Sequence, residues 1–150
     1  TEKLKLQIAE YNRNCPIFIS RSEFLNLTEI EDFHKNQFSG TQSSKLKTQT
    51  ALAFCALGNP NNFFKQLEAE NFKTILTEAF PDHHFYTPKD IENLETKAKR
   101  QNIINLLTTA KDAVKLAGLK FTMPCYVLEN KLVFENEREF RQLIREKIRR

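Results

Sequence analysis

Apolar and polar positions follow two alternating rhythms along this chain. Leu4, Ile8 and Tyr11 recur at i, i+4 and i+7, the spacing of one helical face, and predict an opening helix over residues 2–14. The apolar Pro16-Ile17-Phe18-Ile19 that follows predicts a strand. Residues 21–50 are less regular: Phe24-Leu25-Asn26-Leu27 fits a short strand, and Ser39-Gly40-Thr41-Gln42-Ser43-Ser44 a polar loop with turn chemistry. This stretch reads as a connector or ribbon, not as core.

From Thr50 the pattern becomes regular. Ala51-Leu52-Ala53-Phe54-Cys55-Ala56-Leu57 is a continuous apolar run ended by Gly58-Asn59-Pro60, as suits a strand buried on both faces. Pro60 fits a helix's first turn, and Phe63, Phe64 and Leu67 then share a face. Residues 72–80 predict the next strand. In Thr87-Pro88-Lys89-Asp90, threonine caps, proline opens the helix and aspartate returns the bond, so a helix starts there and turns Ile91, Leu94 and Ala98 inward. Ile103-Ile104-Asn105-Leu106-Leu107-Thr108 is another buried strand, and Thr109-Ala110-Lys111-Asp112 repeats the cap before a short helix that Gly118 ends. A last strand over 124–128 and an amphipathic helix over 137–149 complete the chain. The alternation predicts an α/β fold, a mostly parallel sheet with flanking helices: residues 1–50 form a helix, strand and ribbon-like connector, and 51–150 the α/β lobe.

Composition narrows this picture. A chain of 150 residues with 40% hydrophobic and 28% charged positions is one domain's worth of material. Lys and Arg exceed Asp and Glu by 23 to 19, a net charge of +4 too mild to imply a nucleic-acid partner. Cys15, Cys55 and Cys125 are scattered, as expected of a reducing, cytoplasmic compartment. The first ten residues lack the pattern of a signal peptide, and no apolar run approaches the roughly 18 residues of a membrane span, so the expectation is a soluble protein or one resting on a membrane surface. With only Gly40, Gly58 and Gly118, a phosphate-cradling G-x-x-x-x-G-K-[ST] or G-x-G-x-x-G loop cannot be built.

Parallel sheets bind ligands at the carboxyl ends of their strands, which here are Gly58-Asn59-Pro60, Asp82-His83-His84 and residues 108–112. The middle turn is the most reactive, because a histidine accepts a proton near neutral pH. Adjacent Asp82 is poorly placed to orient His83 and better suited to fixing the loop. A polar turn with aspartate bonding local amides is the simpler alternative. Asn59 is a candidate for orienting a ligand or bracing the neighbouring turn. Lys111 and Lys115 are candidates for phosphate contact, although surface lysines are usually solvated. Two further readings stay open: a non-enzymatic module whose basic final helix binds an anionic membrane or a protein, and a metal-dependent phosphoesterase built on Asp-His-His.

The order Ala51-Leu52-Ala53-Phe54-Cys55-Ala56-Leu57-Gly58-Asn59-Pro60-Asn61-Asn62-Phe63-Phe64, then Phe80-Pro81-Asp82-His83-His84-Phe85, then Thr108-Thr109-Ala110-Lys111-Asp112-Ala113-Val114-Lys115-Leu116 resembles the carboxy-terminal part of the tetraacyldisaccharide 4'-kinase family. The resemblance implies a peripheral enzyme on the cytoplasmic face of the inner membrane. It would transfer the ATP γ-phosphate, with Mg2+, to the 4'-hydroxyl of a tetraacyl disaccharide 1-phosphate, the lipid A precursor, giving lipid IVA. It also implies two α/β lobes joined partly by a β-ribbon, with the P-loop in an amino-terminal lobe outside these residues. This chain is then expected to be a second lobe that holds neither ATP nor metal, is inactive alone and has no nucleic-acid partner. By the same resemblance His83 is the catalytic base, Asp82 its supporting neighbour, and His84, Asn59, Lys111 and Asp112 belong to substrate-contacting or structural loops. Ala110 stands where the family has glutamate, so any contact made by that side chain is missing.

Overall fold

A computed structural model describes residues 2–37 and 43–148. Its centre is a five-stranded sheet in the order β1-β5-β4-β2-β3, built from β1 (Ser20–Glu29), β2 (Ala51–Cys55), β3 (Thr74–Ala79), β4 (Asn105–Thr109) and β5 (Cys125–Phe134). β2 pairs in parallel with both β3 and β4, and β4 in parallel with β5. β1 runs against β5: the Glu135 N–H donates to the Ile19 carbonyl at 3.0 Å, while at the other end the Thr28 hydroxyl donates to Glu129. The expected α/β architecture with a mostly parallel sheet is the one observed.

The period-2 side-chain alternation of the strands divides the core into two layers. Leu52, Phe54, Ala56, Leu106, Cys125 and Val127 point to one face. There they meet α2 (Ile30–His34), α5 (Pro88–Arg100) and α6 (Ala110–Ala113) through Ile30, Ile91, Leu94, Ala98 and Ala113. Ala51, Ala53, Cys55, Leu107 and Leu128 point to the other face, against Leu46 of α3 (Ser43–Lys47) and Phe63 and Leu67 of α4 (Pro60–Ala69). Each fully buried aliphatic or aromatic side chain contributes about 1.5–3 kcal/mol relative to exposure. Glu95, buried within α5, accepts the backbone N–H groups of Thr122 and Met123 at 2.6 and 3.1 Å and so fixes the entry to β5.

Residues 24–130 form one compact unit, and the flanking segments 1–23 and 131–150 form a second. The second contains α1 (Glu2–Tyr11) and α7 (Glu137–Ile148). Its described contacts centre on Phe140, stacked on Phe134 at 4.3 Å and edge-on to Phe18 at 5.2 Å.

Several boundaries differ from the sequence expectation. The opening helix stops at Tyr11, where the Asn12 side chain takes the Asn14 N–H at 3.1 Å in a local turn. Residues 16–19 precede β1 rather than forming a strand. The first ladder bond nearby falls on Ile19, while Pro16 has no N–H to give. β1 instead takes in Phe24-Leu25-Asn26-Leu27, and Leu27, Ile30 and Leu46 from the supposed connector are core residues. β5 continues six residues past Leu128. Most of the polar loop expected over 39–44 lies outside the described residues.

Candidate functional site

The chain order of the strands creates a switch point. From β2 the chain moves outward to β3, and from its neighbour β4 it moves the opposite way to β5, so the connections diverge at the carboxyl ends of β2 and β4. Right-handed crossovers then place α4 on one face and α5 and α6 on the other, matching the two core layers. The turns after β2, β3 and β4 therefore share one rim.

Named contacts join these turns. The Asp112 carboxylate, fully shielded from solvent, accepts the Ala56 N–H at 3.2 Å, the Thr109 hydroxyl at 2.8 Å and the Lys115 ammonium at 3.1 Å. The Asp112 N–H in turn donates to the Thr109 hydroxyl at 3.1 Å, the cap expected from sequence. Beyond capping, Asp112 ties the end of β2 to the start of α6, a role its local pattern did not reveal. Lys115 is mostly buried against it, not solvated as its residue type suggested. Lys111 is exposed, and so is Asn59, whose side chain makes no cap bond at the start of α4. Gly118, with φ of +83°, lies beyond the single 3-10 turn (Val114–Leu116) that follows α6.

The turn after β3 meets the turn after β2 at Gly58, where a Cβ would lie 3.2 Å from Asp82 Oδ2. Asp82 Oδ1 accepts the His83 N–H at 3.1 Å, and its Oδ2 lies 3.7 Å from His83 Nε2, too far for a hydrogen bond. Asp82 thus fixes the backbone of the turn. His83 has φ of +60° and a side chain 75% exposed, so the left-handed backbone projects its ring from the rim. His84 is held differently. Its ring stacks on Phe80 at 4.7 Å, meets Tyr86 edge-on at 5.3 Å and places Nε2 3.1 Å from Asp90 Oδ2. The structure thereby separates the two histidines, one displayed and one clamped.

Burial pushes the Asp90 carboxyl up, but hydrogen bonds from the Thr87 hydroxyl and backbone and from His84 outweigh it, and its pKa is lowered from 3.8. The stability Asp90 contributes is full above that ordinary value and disappears as pH falls through its lower folded value. Beneath the turn, burial first and the Asp112 charge second raise the Tyr86 phenol far above its usual range. Its shielded hydroxyl approaches Asp112 without closing a hydrogen bond of good geometry. The same two causes, in the same order, push the Cys55 thiol up to about 11.

These residues do not fit nucleotide phosphates or a metal. The turn after β2 has a single glycine, and the Asp82 carboxylate faces it where a phosphate would need to approach. Among the described residues no group of three His, Cys, Asp or Glu side chains is disposed to hold a metal ion. What the rim offers is one exposed base on a braced turn. The Asp90–His84 contact escaped the sequence reading, because Thr87-Pro88-Lys89-Asp90 announced only a helix cap.

Among curated proteins, a tetraacyldisaccharide 4'-kinase of Halothermothrix orenii is 30% identical over 120 residues, covering 77% of this chain and 31% of that protein. Those of Gluconobacter oxydans and Bartonella quintana are 44% and 34% identical over 77 and 109 residues, covering 51% and 73% of this chain and 23% and 31% of theirs. The chain thus matches less than a third of the length of each of these relatives. No solved structure matches it at a comparable level. A family model described as tetraacyldisaccharide-1-P 4'-kinase matches residues 5–149, and the chain belongs to that family.

Proposed function

We propose that this chain is the second lobe of a tetraacyldisaccharide 4'-kinase, with His83 as the base for the acceptor hydroxyl. The observation that carries the reading is the outward display of His83 at the carboxyl ends of three strands, on a turn that Asp82 braces. An amino-terminal lobe of the same protein supplies the P-loop, ATP and Mg2+, none of which the residues here fit. As the 4'-hydroxyl of the tetraacyl disaccharide 1-phosphate becomes a nucleophile, its proton passes to the His83 ring. Asp82 sets the backbone from which that ring projects, while Asn59 and Lys111, exposed on the adjoining turns, face the incoming acceptor. Asp112 holds two of the turns together from below.

The same lobe covers the apolar side chains that α1 and α7 leave exposed, among them Leu4, Leu6 and Ile148. No described helix is long and apolar enough to cross a membrane. Family membership, not this absence, supports the reading that the lipid acceptor is reached peripherally, at the cytoplasmic face of the inner membrane.

In the complete enzyme, His83→Ala lowers turnover about 10²–10⁴-fold with ATP affinity nearly unchanged. Single-turnover phosphorylation and nucleotide titration read the two quantities, and wild-type turnover removes His83 from the mechanism. Residues 1–150 alone fold without phosphorylating the acceptor, and the gene sequence upstream encodes a G-x-x-x-x-G-K-[ST] loop. Robust activity from this chain alone contradicts the two-lobe reading.

A further inference from the structure

We infer that Asp90 is a positioning residue for this transfer, acting through His84 to hold the turn over residues 81–86 so that His83 faces outward. The inference rests on the reading of His83 given above. It starts from the number of donors converging on one oxygen. Asp90 Oδ2 accepts the Thr87 N–H at 2.8 Å, the Thr87 hydroxyl at 2.8 Å and His84 Nε2 at 3.1 Å. The first of these bonds, with Thr87 Oγ1 accepting the Asp90 N–H, already completes the capping box that starts α5. The His84 contact is additional to what the helix needs.

Because a carboxylate only accepts, His84 Nε2 must carry a hydrogen, which fixes the state of that nitrogen as well as the ring's direction. Phe80 on one face of the ring and Tyr86 at its edge leave little freedom to rotate. The His84 N–H closes the turn on the Pro81 carbonyl at 3.1 Å. His83 lies between this clamp and Asp82, in the left-handed backbone region that few residues other than glycine, asparagine, aspartate and histidine adopt. Asp90 is itself immobilised, since α5 is anchored in the core by Ile91, Leu94 and Ala98. A rigid helix thus reaches the reactive turn through one carboxylate and one clamped ring, and small errors in placing a catalytic group are costly.

The test uses the complete enzyme. Asp90→Asn lowers kcat about 10-fold or more while both KM values stay within about twofold. His84→Gln produces a similar loss, and the double variant is no worse than either single one. The 15N side-chain spectrum shows the His84 Nε2–H signal displaced in Asp90→Asn. Thr87→Ala removes its hydroxyl from the cap and from Asp90 Oδ2 but leaves the Thr87 N–H and His84 donors there; it lowers Tm and costs much less kcat than Asp90→Asn. Wild-type kcat in Asp90→Asn, multiplicative losses in the double variant, or an equal kcat loss in Thr87→Ala overturns the positioning role. Failure of the base reading is distinct: His83→Ala then turns over like wild type while its His84 Nε2–H signal remains in place.

Discussion

Residues 24–130 and the segments flanking them make opposite use of their apolar side chains. Every buried side chain among the described residues lies between Leu27 and Leu128. In residues 2–23 and 131–148 not one described residue is buried, although Leu4, Leu6, Leu132 and Ile148 are as apolar as those that are. The difference lies in layering. A sheet face and a helix stripe shield one another, whereas an amphipathic helix with nothing over its stripe remains wet. The region 24–130 carries its own core, whereas α1 and α7 leave apolar side chains such as Leu4, Leu6 and Ile148 exposed.

The largest effect that tests this contrast is truncation in the core. Phe54→Ala removes a fully buried ring and costs about 3–5 kcal/mol, whereas Phe140→Ala, with its ring half-buried between Phe134 and Phe18, costs under about 1.5 kcal/mol. Urea melts read both, and equal losses would erase the distinction. A comparable but pH-dependent effect comes from the thiols. An unfolded Cys55 loses its proton near 9.0 and the folded one near 11, so stability falls as pH rises between those values, by about 3 kcal/mol. Cys55→Ala makes that limb of the pH–stability curve shallower, the raised Cys125 thiol and Tyr86 phenol supplying the slope that remains. In the same region Cys125 is equally shielded, while Cys15 in the flanking segment is exposed. A thiol reagent should therefore modify Cys15 at once and the other two only on unfolding. The smallest effect is at the surface of α7. There the Arg141–Glu137 pair at 2.6 Å is largely exposed, and Glu137→Ala shifts stability by no more than about 0.5 kcal/mol in a melt.

The sequence was most legible where the determining contacts are local. The apolar runs at Ala51–Cys55 and Asn105–Thr109 are strands buried on both faces, and the cap at Thr87 starts α5 where the pattern placed it. Legibility failed where partners are distant in the chain. Nothing near Asp112 announces that its carboxylate takes an amide 56 positions earlier, and nothing near Glu129 announces Thr28. The apolar strand pattern ends at Leu128, but β5 runs on to Phe134 beside β1 through Asn130, Lys131 and Leu132, which are all exposed. The two adjacent histidines were indistinguishable as letters. Phe80 and Asp90, three or more residues to either side of them, decide which ring is clamped.

The shielded Asp112 carboxylate also constrains the path to the folded state. An anion sealed from water is tolerable only once the Ala56 amide, the Thr109 hydroxyl and the Lys115 ammonium have gathered around it. A slip of β4 against β2 by one residue would strip it of the first of these and exchange the side chains of the two core layers. Misaligned assembly is therefore penalised twice, by the loss of the long-range donor to the buried Asp112 carboxylate and by inverted packing, so the Ala56–Asp112 bond is made only in the native strand alignment.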